Sequence, residues 1–193
     1  MILESILFII GCYILGSIPS GLILTKIFLK EDIRNIGSGN IGATNVLRTG
    51  KKFLALATLI FDTAKGYAVI FISSQYFPDY VYISGLICFL GHIFPVWLKF
   101  KGGKGIATYL GILLGISFYL ALVFGISWLI IIYISKYSSI SSIISSINVT
   151  LFSYFSEVVN QDLFFFILLI LIIYSHKENI IRIKNKSETK IKF

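Results

Sequence analysis

Three short stretches of this 193-residue chain carry residue types suited to holding an anion. The first runs Gly37-Ser38-Gly39-Asn40-Ile41-Gly42-Ala43-Thr44-Asn45-Val46-Leu47-Arg48. Three glycines in close succession let the backbone turn tightly and bring N–H groups near a negative charge. Ser38, Asn40, Thr44 and Asn45 add neutral hydrogen-bonding groups, and Arg48 adds a forked cation. Such a loop either merely joins two helices or cradles a phosphate; the accompanying Ser, Asn and Arg favour the phosphate.

The second stretch, Lys101-Gly102-Gly103-Lys104-Gly105, leads into an apolar helix. Free N–H groups and the dipole at a helix start attract anions, and two lysines reinforce this. The spacing is not that of a Walker A loop. Topological anchoring would explain the lysines but not the Gly-Gly between them. In the third stretch, His176, Asn179 and Arg182 stand at i, i+3 and i+6 and share much of one helix face. Together they can meet a phosphate or an acyl carbonyl; on a merely solvated basic tail the alignment would be accidental.

Other polar residues have quieter readings. His92, near the end of an apolar run, reads as a packing residue sooner than a base. Asp62 and Lys65, one turn apart inside an apolar segment, read as a supporting ion pair. In Lys136-Tyr137-Ser138-Ser139-Ile140-Ser141-Ser142, serines serve helix packing unless something else engages them.

The elements that must position these groups are membrane helices. Hydrophobic residues make up 56% of the chain and charged residues 13%, with a mean hydropathy of +0.89, which leaves too little polar surface for a water-facing globule. The net charge of +8 lies in short blocks between apolar runs, as for topology signals and anionic lipid contacts and not for nucleic acid. Cys12 and Cys88 sit inside apolar runs as small hydrophobes, and no Cys/His cluster points to a metal or a disulfide framework. No cofactor is expected. The first apolar segment opens on Glu4 without a basic flank and reads as a membrane helix, not a cleaved signal.

Apolar spans are expected near 3–27, 53–74, 80–98, 105–117, 119–135, 139–155 and 163–175, in a single domain over 1–193. With the N-terminus outside, 26–52, 99–104, Lys136 and 177–192 face the cytoplasm and hold every Lys and Arg of the chain's 17 except Lys65. Glu4, Asp79, Glu157 and Asp162 then lie outside. The positive-inside rule therefore chooses N-out, C-in. Span 105–117 covers only about 20 Å of a ~30 Å core. Its merger with 119–135 into one long helix, with 139–155 lying at the interface, gives a five-helix alternative, which strands Lys136 outside; seven is the favoured count of this all-α bundle.

In order and spacing, these segments resemble the bacterial acyl-phosphate:glycerol-3-phosphate acyltransferase family (PlsY). The likeness covers Gly16–Ser20, the Gly37–Arg48 loop, Asp62–Gly66, Gly91–Thr108 and His176–Arg182 followed by Glu188. It implies seven membrane helices and an active site on the inner face of the bacterial cytoplasmic membrane. The implied reaction moves a fatty acyl group from acyl-phosphate to the 1-position of glycerol-3-phosphate, giving lysophosphatidic acid for phospholipid synthesis. The donor further implies a soluble acyl-phosphate synthase as a partner.

By the same resemblance, Ser38, Asn40, Asn45 and Arg48 match the first motif, and Lys101, Gly102, Gly103, Lys104 and Gly105 the second. His176, Asn179, Arg182 and Glu188 match the third; Ser139 and Ser142 match a serine pair after the family's fifth helix. Ser38, Arg48 and Lys104 are then phosphate ligands, and His176 and Asn179 orient substrate or stabilise the oxyanion. Ser139 contacts glycerol-3-phosphate. The family is thought to use the substrate's own phosphate as base. That suits a chain with no His-x4-Asp pair, since Trp97 and Ile181 stand five positions after its two histidines.

One departure stands out: Lys186 precedes Ser187-Glu188 where the family commonly has glycine, and lysine enters a φ > 0 turn less readily. Two other readings compete. A small-anion transporter predicts polar residues across the midplane, where only Asp62 and Lys65 are found. A non-catalytic scaffold gives no reason for the Gly-Gly or for the His/Asn/Arg face.

Overall fold

The computed structural model describes residues 2–156, 159 and 161–191. Glu157 and Lys192, which enter the charge argument above, lie outside the described residues. Among these residues every regular element is helical, and the chain divides into two compact units, Met1–Gly115 and Ile116–Phe193.

The first unit holds α1 (Ile2–Gly16), α2 (Ser20–Leu29), α3 (Ala43–Leu47), α4 (Lys52–Tyr76), α5 (Val81–Ile93) and α6 (Ile106–Ile116). Helices α1 and α2 are one apolar run bent by 43°. The break falls at Ser17-Ile18-Pro19, because Pro19 has no N–H to continue the ladder. Helix α1 packs on α5, and α4 on α2, α3 and α5. The α1–α5 approach is backbone to backbone: a methyl group on Gly16 would strike the Cys88 carbonyl. Beneath the Gly37–Arg48 loop, Leu22, Ile33, Ile41, Val46, Leu54 and Ala55 form a shared apolar core.

The second unit holds α7 (Phe118–Ser135), α8 (Ser138–Ser156), α9 (Asp162–Ser175) and α10 (Lys177–Lys184). Helix α8 packs between α7 and α9. Its serines turn inward: Ser139, Ser141, Ser142, Ser145, Ser146 and Ser153 are all buried. Ser141, Ser142 and Ser146 return their hydroxyls to carbonyls one turn back, so they cost the apolar interior little. Trp128 Nε1 donates to Ser142 Oγ at 3.2 Å and Asn148 Nδ2 to Ser127 Oγ at 3.1 Å, stitching α8 to α7. Helices α9 and α10 meet at a bend of 54°.

Three stretches are long and apolar enough to cross a membrane, Lys52–Tyr76, Pro78–Leu98 and Phe118–Ser135; counting each bent pair as one span gives five. The single long helix over 105–135 does not form. Helix α6 stops at Ile116, Ser117 is extended (φ −158°, ψ 124°), and α7 begins at Phe118. At 11 residues α6 covers roughly 16 Å, well under the ~30 Å of a hydrocarbon core. Large apolar side chains such as Phe53, Tyr133, Ile134 and Phe155 stand exposed on the outer faces, as lipid contact requires.

Candidate active site

In the first unit, the Gly37–Arg48 loop is organised by one side chain. Asn45 is buried, and its Nδ2 donates to the carbonyls of Ile33, Ile36 and Asn40 at 3.1, 2.9 and 2.7 Å. Its Oδ1 accepts the Ser38 amide at 2.9 Å. Expected from the sequence to touch substrate, Asn45 instead spends its whole carboxamide on the loop backbone. Asn40 also serves the loop with its oxygen, its Oδ1 taking the Gly42 amide at 2.9 Å. Gly37 has φ +56°, and a Cβ on it would meet Asn45 Oδ1 at 2.5 Å and Arg48 Cδ at 2.9 Å. Glycine is therefore required both for its backbone conformation and to leave room for Asn45 and Arg48 beside it.

With the amides of Ser38, Gly39 and Gly42 bonded internally, the Ser38 hydroxyl and the Arg48 guanidinium are the loop's side-chain candidates for an anion. Asp32, capping the short 3₁₀ turn Ile33–Asn35, holds Arg34 through Nε at 2.9 Å and its terminal nitrogen at 2.6 Å. The Arg34 hydrogen bonds hold the Asp32 carboxyl down at about 2, below the usual carboxylate range.

The Lys101–Gly105 turn is likewise not an open nest. The Gly102 and Gly103 amides each donate, at 3.1 Å, to the Ile93 and His92 carbonyls at the end of α5. These two N–H groups are therefore engaged within the protein, and the cationic capacity beside them rests with exposed Lys101 and half-buried Lys104. The paired glycines answer a different need: a Cβ on Gly103 would collide with His92 Nε2, and one on Gly102 with the His92 carbonyl. Gly105, at φ +79°, presses on the Phe89 ring.

Beside this turn opens a cavity of about 470 Å³ walled by Arg34, Gly39, Trp97, Lys99, Lys101 and Gly102 together with Ile41 and Leu98. Sequence reasoning missed Arg34, Trp97 and Lys99. Their signal was their place just before the two motif stretches, with Trp97 and Lys99 two positions apart as at a membrane–water boundary.

In the second unit Ser139, Asn179 and Arg182 converge on one carboxylate. Glu188 Oε1 accepts Asn179 Nδ2 at 2.6 Å and Ser139 Oγ at 3.3 Å, while Oε2 accepts Arg182 Nε at 2.7 Å. Arg182 thus pairs within the protein, and Glu178 approaches it at 3.7 Å. Asn179 Oδ1 is buried with no hydrogen-bond partner among the described residues. His176 Nδ1 lies 2.8 Å from the Ile172 carbonyl, which can only accept; Nδ1 therefore carries a proton, and Nε2 is the nitrogen that accepts whenever the ring is neutral. Ser142 is occupied by Ser138 and Trp128 and serves packing.

Apolar helices wrapped around buried polar clusters, with basic turns at their ends, define an integral membrane helical protein. A family model described as glycerol-3-phosphate acyltransferase matches residues 6–186. The chain belongs to the glycerol-3-phosphate acyltransferase family.

It is 54% identical over 190 residues to a glycerol-3-phosphate acyltransferase of Pelagibacter ubique (strain HTCC1062), covering 98% of this chain and 99% of that one. A relative of the same description from Brucella anthropi is 50% identical over 179 residues, covering 93% and 89%. Among solved structures, PlsY (YgiH), an integral membrane glycerol 3-phosphate acyltransferase, superposes in its glycerol 3-phosphate form with a TM-score of 0.92 at 36% identity, over 98% of this chain and 96% of that one. Its lysophosphatidic acid form gives 0.89 at 35% identity over the same shares.

Proposed function

We propose that this protein moves a fatty acyl group from acyl phosphate to the 1-hydroxyl of glycerol-3-phosphate, with the whole chain, 1–193, acting as one membrane-embedded domain. Acyl transfer to glycerol-3-phosphate, giving lysophosphatidic acid, follows from family membership and from the likeness to solved glycerol 3-phosphate and lysophosphatidic acid forms. The hydroxyl oxygen attacks the acyl carbonyl carbon, the carbonyl carbon–phosphate oxygen bond breaks, and phosphate leaves with that electron pair. The hydroxyl proton ends on the departing phosphate. Because acyl phosphate is already activated, positioning and charge stabilisation supply the catalysis.

Arg48, Ser38, Lys101 and Lys104 neutralise and orient substrate phosphate. Asn40, Asn45, Gly102, Gly103 and Gly105 shape the turns that carry them. Ser139, His176 and Asn179 address the acceptor alcohol, with Glu188 and Arg182 fixing their geometry and Ser142 steadying α8.

The observation that carries this reading is the Asn179 carboxamide. Its nitrogen is held by Glu188 while its buried oxygen awaits a donor, which a glycerol hydroxyl supplies. The location is the bacterial cytoplasmic membrane with seven spans, N-terminus outside, and the chemistry on the cytoplasmic side, supported by the placement of the basic residues. A soluble acyl-phosphate synthase delivers the donor.

The test is an assay of purified protein with glycerol-3-phosphate, offering acyl phosphate, acyl-CoA and acyl carrier protein in parallel. Lysophosphatidic acid should form from acyl phosphate. Turnover with the thioesters alone overturns the donor assignment, and no turnover with any donor overturns the enzyme.

A further inference from the structure

The reaction as described makes no use of Lys65, yet Lys65 is the most fully engaged cation in the first unit. It is buried within α4, and its ammonium meets three acceptors: Asp62 Oδ1 at 2.9 Å, the Ile18 carbonyl at 2.9 Å and His92 Nδ1 at 2.9 Å. An ammonium has N–H donors and no lone pair, so His92 Nδ1, at 2.9 Å from it, must accept. Thr108 Oγ1 stands 3.2 Å from the same nitrogen and adds a second hydroxyl-to-nitrogen contact. The neutral His92 ring therefore carries its proton on Nε2, on the side that abuts Gly103.

We propose that Lys65 is a positioning residue for the Lys101–Lys104 turn, acting through the His92 imidazole. Lys104 is bracketed by two contacts of this one histidine. Gly103, just before it, receives the ring edge and donates its amide to the His92 carbonyl; Thr108, one helical turn after it, meets Nδ1. Rotating the ring would push it into the space of Gly103 or release Thr108, and either shift moves the backbone that carries Lys104. Lys65 blocks that rotation and ties it to the α1–α2 break through Ile18. This inference rests on the reading that lysines of this turn hold a substrate phosphate.

Two measurements test it. The chain has two histidines, so ¹⁵N NMR of imidazole-labelled wild-type protein at neutral pH resolves both tautomers. His92 should show the Nε2–H form; an Nδ1–H ring or an imidazolium at His92 overturns the proposal without any variant. Kinetics then compare Lys104→Ala with the double variant Asp62→Asn/Lys65→Met, which removes both charges together and strands neither. The double variant should raise KM for a phosphate-bearing substrate by about tenfold and speed hydrogen exchange at the Gly102 and Gly103 amides, with kcat lowered less. Unchanged KM and exchange in the double variant, while Lys104→Ala loses affinity, sinks the positioning role alone. Unchanged KM in Lys104→Ala sinks the phosphate reading on which it rests. Should the double variant fail to fold, the tautomer measurement still decides.

Discussion

Asn179 Nδ2 donates to Glu188 Oε1 at 2.6 Å, tying α10 to the chain that follows it. The link exists because the helix end turns back. The Ser187 amide bonds the Arg182 carbonyl at 2.8 Å and the Lys186 amide the Ile183 carbonyl at 3.0 Å, the paired closure of a Schellman motif. Lys186 occupies its left-handed position at φ 55°. Glu188 is thereby delivered to Asn179, Arg182 and Ser139 together.

Glu188→Gln keeps the shape but removes the charge that Arg182 and Asn179 share. Charge-assisted hydrogen bonds contribute about 1.5–3 kcal/mol, so kcat/KM should fall by roughly 10- to 100-fold. Initial rates on folded, detergent-solubilised variant check this. Rates within twofold of wild type would remove the cluster from the reaction.

His176→Ala should act mainly on turnover. If Nε2 orients the attacking hydroxyl, kcat drops by about 10²-fold or more with a smaller change in KM. A pure KM effect would assign His176 to binding alone.

Gly37→Ala forces a side chain into a left-handed position already crowded by Asn45 and Arg48. The backbone conformation alone costs about 1–2 kcal/mol. The variant should melt earlier and lose affinity for glycerol-3-phosphate or acyl phosphate, measured as KM for each. Full affinity at unchanged Tm would show that the loop does not need this geometry.

Lys186→Gly relieves the same strain. Against the ~1–2 kcal/mol of left-handed cost stands the extra freedom of glycine in the unfolded chain, leaving a net gain of about 1 kcal/mol or less. Thermal unfolding in detergent should show a raised Tm with activity retained, whereas a lowered Tm would mean the lysine side chain compensates elsewhere.

The Asp32–Arg34 pair sets a pH window. Its carboxyl titrates at about 2 when folded, below the ~3.9 of an unperturbed aspartate, so its contribution to stability is complete above the latter and is lost as pH falls through the former. Asp32→Asn should therefore shift Tm equally at pH 6 and pH 8, the difference from wild type shrinking only below about pH 4. A shift that changes between pH 6 and pH 8 would point to a different partner.

Membrane residence and the Asp62–Lys65 pairing were legible in the sequence, because composition and i,i+3 spacing are local properties. Residues far apart in the chain were not. Gly102 and Gly103 looked like an open anion nest. Their amides in fact go to the end of α5, and their lack of side chains accommodates His92, ten and eleven positions earlier. Asn45 looked like a ligand because its type suits one, but the three carbonyls it serves become neighbours only when the loop closes. Lys186 marked a departure from the family pattern, yet the helix end forms around it, since two backbone hydrogen bonds hold the turn that glycine would adopt more cheaply.

The contact between His92 and Gly103 also limits how this lineage can drift. The imidazole edge fills the space where any larger residue at 103 would place its first carbon. A larger residue at 103 fits only if the imidazole turns away or a smaller side chain stands at 92, so each of the two positions restricts what the other can hold.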